Sequence, residues 1–318
     1  MVGKRTLVRR RMRRRRRGWK AKQNQKIVFL SPIPLEHLSW TGLLVYGELS
    51  QHLGMAGASI HLEQLPTTSA PEARVEATLR RITKRSPVDA WVLYRMPRAV
   101  QRFVQRLAVP AVVFGNAYPG IELPALEVDH AAALRHAIAA LERAGHNPRS
   151  VVLVLPESEQ AGNLNVEASF LAEIGSRRKG QILKHGEDCG DFEKVAHSLL
   201  RKRPRPTAVI VFRNRMAARL LGFIPHRLQF CVPADLSLLC LDDAPFMADL
   251  VPEITRYRTD ARRAADWCVH ALQRQLSSGI RKSWEHRPIV PDFIRGETLA
   301  PPPKAAGHDH PPREGVPP

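Results

Sequence analysis

From residue 27 onward, short unbroken runs of apolar, mostly β-branched residues alternate with longer amphipathic stretches. Ile27-Val28-Phe29-Leu30 reads as a strand closed by Ser31-Pro32, and a helix is predicted over about 40–53, stopped by Gly54. Ala58–Leu62 is the next strand, 72–85 a helix opened after Pro71 and broken at Ser86-Pro87, and Ala90–Leu93 a strand. A helix near 98–107 then leads to a strand at Ala111–Phe114. Because these strands are apolar throughout rather than alternating, both faces of their sheet must be covered, which indicates a parallel sheet.

The same rhythm restarts after Gly145-His146-Asn147-Pro148. Strands are predicted at 151–155, 180–184, 207–212 and 236–241, with helices at 162–175, 192–202 and 214–222 between them. A long helix over 260–278 and one last strand within 287–295 complete the pattern. Two successive units of this kind predict an α/β protein with two doubly wound parallel-sheet lobes joined by crossover segments. The expected division is 27–145 plus 260–283 for one lobe and 147–258 plus 285–299 for the other. Residues 1–26 then form a basic disordered arm and 300–318 a disordered tail rich in Pro, Gly and His.

Charge sharpens this division. The net charge is +19, from 49 basic and 30 acidic residues. Thirteen of the basic residues and no acidic one lie in residues 1–26, so the rest of the chain has 36 against 30, about +6. Arg13, Arg14, Arg15, Arg16 and Arg17 form an unbroken run with Lys20 close behind, chemistry that attracts phosphate. A secretory leader needs an apolar stretch of roughly 7–15 residues after its charges, and here only Thr6-Leu7-Val8 interrupts the arginines. Nowhere do about 18 apolar residues run together, so no membrane span is expected and a cytoplasmic location is. Cys189, Cys231, Cys240 and Cys268 show no metal spacing and read as buried reduced thiols. His308-Asp309-His310 reads as exposed tail, so no metal or other cofactor is expected.

Several segments resemble the effector-sensing part of LacI/GalR-type transcriptional regulators. Glu127-Val128-Asp129-His130, followed by Ala144-Gly145-His146, is similar to the passage that links the two lobes in that family. Arg205-Pro206-Thr207-Ala208-Val209-Ile210-Val211 resembles a characteristic strand. The most specific stretch is Val232-Pro233-Ala234-Asp235-Leu236-Ser237-Leu238 with Leu241-Asp242-Asp243, then Pro252-Glu253-Ile254-Thr255 and Arg258. Phe293-Ile294-Arg295-Gly296-Glu297-Thr298 resembles the closing segment, so the likeness covers about 27–299. A subgroup in which the sensor follows a winged-helix DNA reader of the GntR type has an arginine-rich joint, and Arg9–Lys26 looks like it. The resemblance places such a reader upstream, and none is recognisable in this chain.

What the resemblance implies is a homodimeric regulator whose small-molecule effector, a sugar or an anionic metabolite, binds between the lobes and controls DNA binding. Candidate ligand contacts fall at the carboxyl ends of predicted strands, where parallel α/β sheets place their ligands. They are Ser31, Arg95, Asn116, Arg213, Asn214 and Asp242, with Trp40 at the start of the first helix. Asp242 matches the family's cleft aspartate, and is otherwise a structural carboxylate at a strand end. Arg213-Asn214 stands where the family has Asn-Asp; a cation there suits a carboxylate or phosphate, or else it is a rim arginine. The family's gripping arginine aligns with Val166, which puts a standard sugar effector in doubt. Trp40 is suited to stacking on a sugar ring or to ordinary packing.

Other classes fare worse. The turn after the first strand is Ser31-Pro32-Ile33-Pro34-Leu35, not a glycine-rich dinucleotide turn, and no P-loop, nucleophile elbow or zinc-protease motif occurs, so catalysis is not expected. A solute receptor for transport has the same two-lobed build but requires export. The remaining alternative is a separated or degenerate sensor that binds nucleic acid non-specifically through its arm.

Overall fold

A computed structural model describes residues 25–65, 72–85, 87–107, 109–157, 160–175, 181–186, 191–228, 230–278 and 286–303. The arm with Arg13–Arg17 and Lys20, Cys189, and the tail histidines lie outside these residues. Contacts divide the chain into two units: unit 1 runs to Val128 and takes in Asp260–Ile289, while unit 2 is Asp129–Thr259 with the chain from Val290 on.

In unit 1 the strands are β1 (Gln25–Ser31), β2 (Ala58–Gln64), β3 (Ala90–Tyr94), β4 (Ala111–Phe114), β5 (Ala125–Val128) and, from the return of the chain, β11 (His286–Ile289). They form one sheet in the order β11-β5-β4-β3-β1-β2, parallel at every pairing. Period-two alternation sends neighbouring side chains to opposite faces. Ile27 and Phe29 therefore pack with α1 (Trp40–Met55) and α8 (Ala261–Ser278). Val28 and Leu30 pack on the other face with α2 (Glu72–Arg85) and α3 (Arg98–Leu107). A strand wedged between two helical layers has no wet side, which is why β1 reads as a continuous apolar run.

Unit 2 repeats the plan with β6 (Val151–Pro156), β7 (Ile182–His185), β8 (Ala208–Val211), β9 (Ser237–Cys240), β10 (Thr255–Arg258) and β12 (Asp292–Ile294). The order is β12-β10-β9-β8-β6-β7, parallel except for antiparallel β12. Val152 and Val154 face α6 (Phe192–Arg201) and α7 (Asn214–Leu228). Val151, Leu153 and Leu155 face α4 (His130–Arg143) and α5 (Ala161–Ile174). In both sheets the direction of winding reverses beside the first strand, between β1 and β3 and between β6 and β8. Crevices at the carboxyl ends of such reversal points are where doubly wound folds take ligands.

The structure departs from the sequence reading at short elements. Ala125–Val128 and Thr255–Arg258 are strands that the pattern did not predict, since Glu127 in one and Arg256 and Arg258 in the other interrupt the apolar run by which the other strands were read. The single strand expected within 287–295 is two strands, β11 and β12, which belong to different sheets. Helix α7 continues to Leu228, past Gly222 and through Pro225. Helix α4 packs its Leu134, Ile138 and Leu141 against the second sheet, so the contacts place it in unit 2 although the expected boundary lay after it. Gly145 ends α4 with φ of +99° while the amide of His146 reaches back to the Leu141 carbonyl at 2.9 Å, a turn that favours glycine. Cys231 is exposed, whereas Cys240 and Cys268 are buried as expected, and burial pushes the Cys268 thiol up to about 12.

Candidate functional site

The carboxyl edge of the unit 2 sheet brings Arg213, Asn214 and Asp242 together from the adjacent strands β8 and β9. Asn214, buried at the start of α7, donates from Nδ2 to Asp242 Oδ2 at 2.9 Å and to the Asp243 carbonyl at 3.2 Å. The Asp243 amide donates to Asp242 Oδ1 at 2.9 Å. Burial raises the pKa of Asp242 from its ordinary value, opposed by the charge of Arg213 and by the amides that face it. Each carboxylate oxygen has two lone pairs, so the half-buried Asp242 retains capacity to accept from a ligand.

Asp243 has a different occupation. Its Oδ1 takes Nε of Arg256 at 2.5 Å and its Oδ2 takes Nε of Arg258 at 2.6 Å. Arg256 is 1% exposed and is completed by Glu253 Oε1 at 2.7 Å and the Ile254 carbonyl at 2.9 Å. Such charge-assisted bonds compensate the cost of burying a guanidinium. The sequence reading passed over Arg256. Its signal was the spacing: 256 and 258 lie on one face of a strand, so both can reach one acid, which stands just past the end of β9.

Arg213 itself is half-buried, and its guanidinium carbon lies 4.7 Å from the centroid of the Phe212 ring. His130, the first residue of α4, meets the same ring at 4.9 Å and 69°. Phe212 is thus a buried platform on which the arginine rests. Val166 and Phe170 are core residues of α5, at 1% and 0% exposure, so neither faces a ligand.

In unit 1, Ser31, Arg95 and Asn116 come to the carboxyl ends of three neighbouring strands, β1, β3 and β4. The buried Ser31 hydroxyl is used locally, donating to the Ile33 carbonyl at 2.7 Å and accepting from the Ile33 amide at 3.2 Å. Asn116 donates its side-chain amide to Glu127, and its carbonyl accepts from Gln101 Nε2 at 3.0 Å. Arg95 has φ of +49°, the one non-glycine residue with positive φ among the described residues. Trp40 is 36% exposed at the head of α1, where the side chain of Ser39 caps the helix by accepting from the Gly42 amide at 3.1 Å.

No group of three or more His, Cys, Asp or Glu residues able to hold a metal occurs among the described residues. No helix among them is long and apolar enough to cross a membrane.

Two doubly wound parallel sheets, each with polar side chains gathered at the carboxyl edge beside its reversal point, define the class of two-unit α/β binding proteins. Residues 138–299 match the family model of the periplasmic binding protein-like domain, and the chain belongs to that family. A protein described as a probable opine utilization operon repressor from Rhizobium rhizogenes is 25% identical over 186 residues, 55% of this chain and 83% of that protein. Among solved structures, a LacI transcriptional regulator from a Rhodococcus species is similar, with TM-score 0.69, 23% identity, and coverage of 89% of this chain and 100% of that one. A LacI family regulator from Enterococcus faecium with bound ribose matches with TM-score 0.70 and 16% identity, over 87% and 99% of the two chains.

Proposed function

We propose that this chain is the ligand-sensing part of a transcriptional regulator of the LacI type, located in the cytoplasm and acting as a homodimer on DNA. The observation that carries the reading is the division of labour between Asp242 and Asp243. One carboxylate is locked by two arginines, while its neighbour is held in place by Asn214 and a backbone amide and keeps free acceptor capacity. A carboxylate so oriented suits a ligand that presents hydroxyl or ammonium donors. The names of the relatives, an operon repressor and LacI-type regulators, support the same role. Neither the residues at the site nor the motifs suggest catalysis. The effector acts only through the difference in its affinity for the chain's conformational states. Arg13–Arg17 and Lys20 supply phosphate affinity beside a DNA reader rather than reading sequence themselves.

DNA binding tests the regulatory part. The full chain and a version lacking residues 1–26 are titrated with the protein's own promoter fragment and with a scrambled fragment, from about 50 mM to about 200 mM salt. We expect both fragments to bind the full chain equally, weakly at the higher salt, and the arm-less version to lose that binding. Preference for the promoter would make the chain a self-sufficient regulator; no binding of either fragment at the lowest salt would overturn the role given to the arm.

A further inference from the structure

Helix α3 carries a glutamine on its packed face. Gln101 is 0% exposed, beside the buried Val100, Phe103 and Val104, where an aliphatic side chain would pack as well. Burying a side-chain amide costs free energy unless its donors and acceptor are paired. Here they are. Nε2 donates to the Met96 carbonyl at 2.9 Å and to the Asn116 carbonyl at 3.0 Å, and Oε1 accepts from the Tyr118 amide at 3.3 Å. Both amide hydrogens of the side chain are thereby used. Met96 belongs to the loop after β3, and Asn116 and Tyr118 to the loop after β4. One side chain therefore ties together the two strand ends that carry Arg95 and Asn116.

Residues 115–124 join the adjacent parallel strands β4 and β5 without the helix that such a connection usually contains, so their backbone groups need other partners. One face of α3 supplies them, from Arg98, Gln101 and Gln105 at helical spacing. Arg98 donates to the Pro119 carbonyl at 3.1 Å, and Gln105 Oε1 accepts from the Glu122 amide at 2.6 Å. Gln101 is the member of this row that also reaches back to the β3 loop. In that loop Arg95 has φ of +49°, a region that disfavours residues with a Cβ and persists only where the surroundings over-determine it. The hold is visible on both sides of the residue. Its own amide donates to the Phe114 carbonyl at 3.0 Å, and the carbonyl of the next residue, Met96, is taken by Gln101.

We infer that Gln101 is the positioning residue of the unit 1 ligand edge: it locks the loop after β3, with Arg95 in its left-handed conformation, to the loop after β4 that carries Asn116. The two candidate contacts are then set before a ligand arrives and move as one body, which lowers the ordering cost of binding. That these side chains face an effector rests on the sensor reading above; the lock between the loops does not.

The test is amide exchange read residue by residue by NMR on the full chain, without any ligand, together with urea unfolding. Gln101→Leu keeps the bulk and removes three hydrogen bonds. We expect the Tyr118 and Arg95 amides to exchange at least about tenfold faster, and the Val28 amide of β1 to keep its rate. Gln101→Glu retains the acceptor and loses the two donors, so Tyr118 should stay protected while Arg95 quickens; this milder variant decides the matter if Gln101→Leu does not fold. Gln105→Leu should free Glu122 and leave Arg95 unchanged. Arg95→Gly removes the backbone strain, so in that background Gln101→Leu should lower the urea midpoint by less than in the parent. An Arg95 amide that keeps its rate in Gln101→Leu while Tyr118 quickens makes the loops independent and overturns the lock. Equal acceleration at Val28 and Arg95 reduces Gln101 to overall stability and overturns it as well, and equal midpoint losses in both backgrounds overturn the hold on Arg95. Each of these failures leaves the sensor reading standing, since that reading is tested by effector binding to Asp242→Ala.

Discussion

Side by side on one strand end, Asp242 receives amides while Asp243 receives two guanidinium groups. Substituting each by alanine should therefore give opposite signatures. Asp242→Ala is expected to abolish effector binding in calorimetry, a loss of at least about 10- to 100-fold, with an unchanged urea midpoint. Asp243→Ala strands the buried Arg256 and should destabilise the protein by about 3–5 kcal/mol in urea unfolding. His146 supplies a third case. It is 3% exposed; Nδ1 pairs with the Thr207 hydroxyl at 2.9 Å and Nε2 with the Ala300 carbonyl at 2.8 Å. Desolvation lowers its pKa below the ordinary 6.5, opposed by the Ala300 contact. A depressed histidine favours the neutral form when folded, so its contribution to stability is complete above about 6.5 and is lost as pH falls below that value. Urea midpoints taken between pH 7.5 and pH 5.5 should fall with acidification, and His146→Asn should flatten that part of the profile.

Among the elements, the closing segment after β12 shows how a short piece can be pinned. Thr298 is fully buried; its hydroxyl donates to the Leu238 carbonyl at 2.6 Å and accepts from the Thr255 amide at 2.9 Å. Just before it, Gly296 passes so near β10 that an added Cβ would stand 2.7 Å from the Ile254 carbonyl carbon. That neighbour is backbone and cannot swing aside. Gly296→Ala should therefore cost about 3 kcal/mol, at the upper end for overpacking, and lower the thermal midpoint. Gly42→Ala on α1 meets the buried Tyr94 ring, with its hydroxyl at 2.6 Å and Cζ at 2.8 Å, and should lower the midpoint as well. Several strands and helices were legible from their pattern: 72–85, 98–107 and 111–114 have the same limits in the structure as in the sequence reading. β5, β10 and the division of 287–295 were not, because their edges are set by which strand they pair with rather than by their own periodicity.

For the whole molecule, charge and ligand linkage give measurable consequences. If all of Arg13–Arg17 touch phosphate, the double-logarithmic salt slope of DNA binding should be about −4.5, and deletion of residues 1–26 should remove most of it. An effector at about 100 times its dissociation constant should stabilise the folded protein by about 2.7 kcal/mol, read as a shift of the urea midpoint. Asp242→Ala should erase that shift.

The sequence by itself determined the two-unit α/β plan, because fully buried parallel strands leave continuous apolar runs that survive any detail of packing. It also placed Ser31, Arg95, Asn116, Arg213, Asn214 and Asp242 at strand ends, since each of those strands is a continuous apolar run that breaks off at polar residues. Only the tertiary structure decided what those side chains do. Ser31 and Asn116 are drawn into contacts with Ile33 and with Glu127, partners whose positions depend on the fold around them. Arg256 proved to be the buried partner of Asp243, a pairing that requires β9 and β10 to be neighbours. Hydrophobic burial is non-directional and so can be read from a one-dimensional pattern. Hydrogen bonds and ion pairs are fixed by distances of about 3 Å between segments far apart in sequence; spacing along the chain shows which residues share a face, as for Arg256 and Arg258, but not which partner they meet.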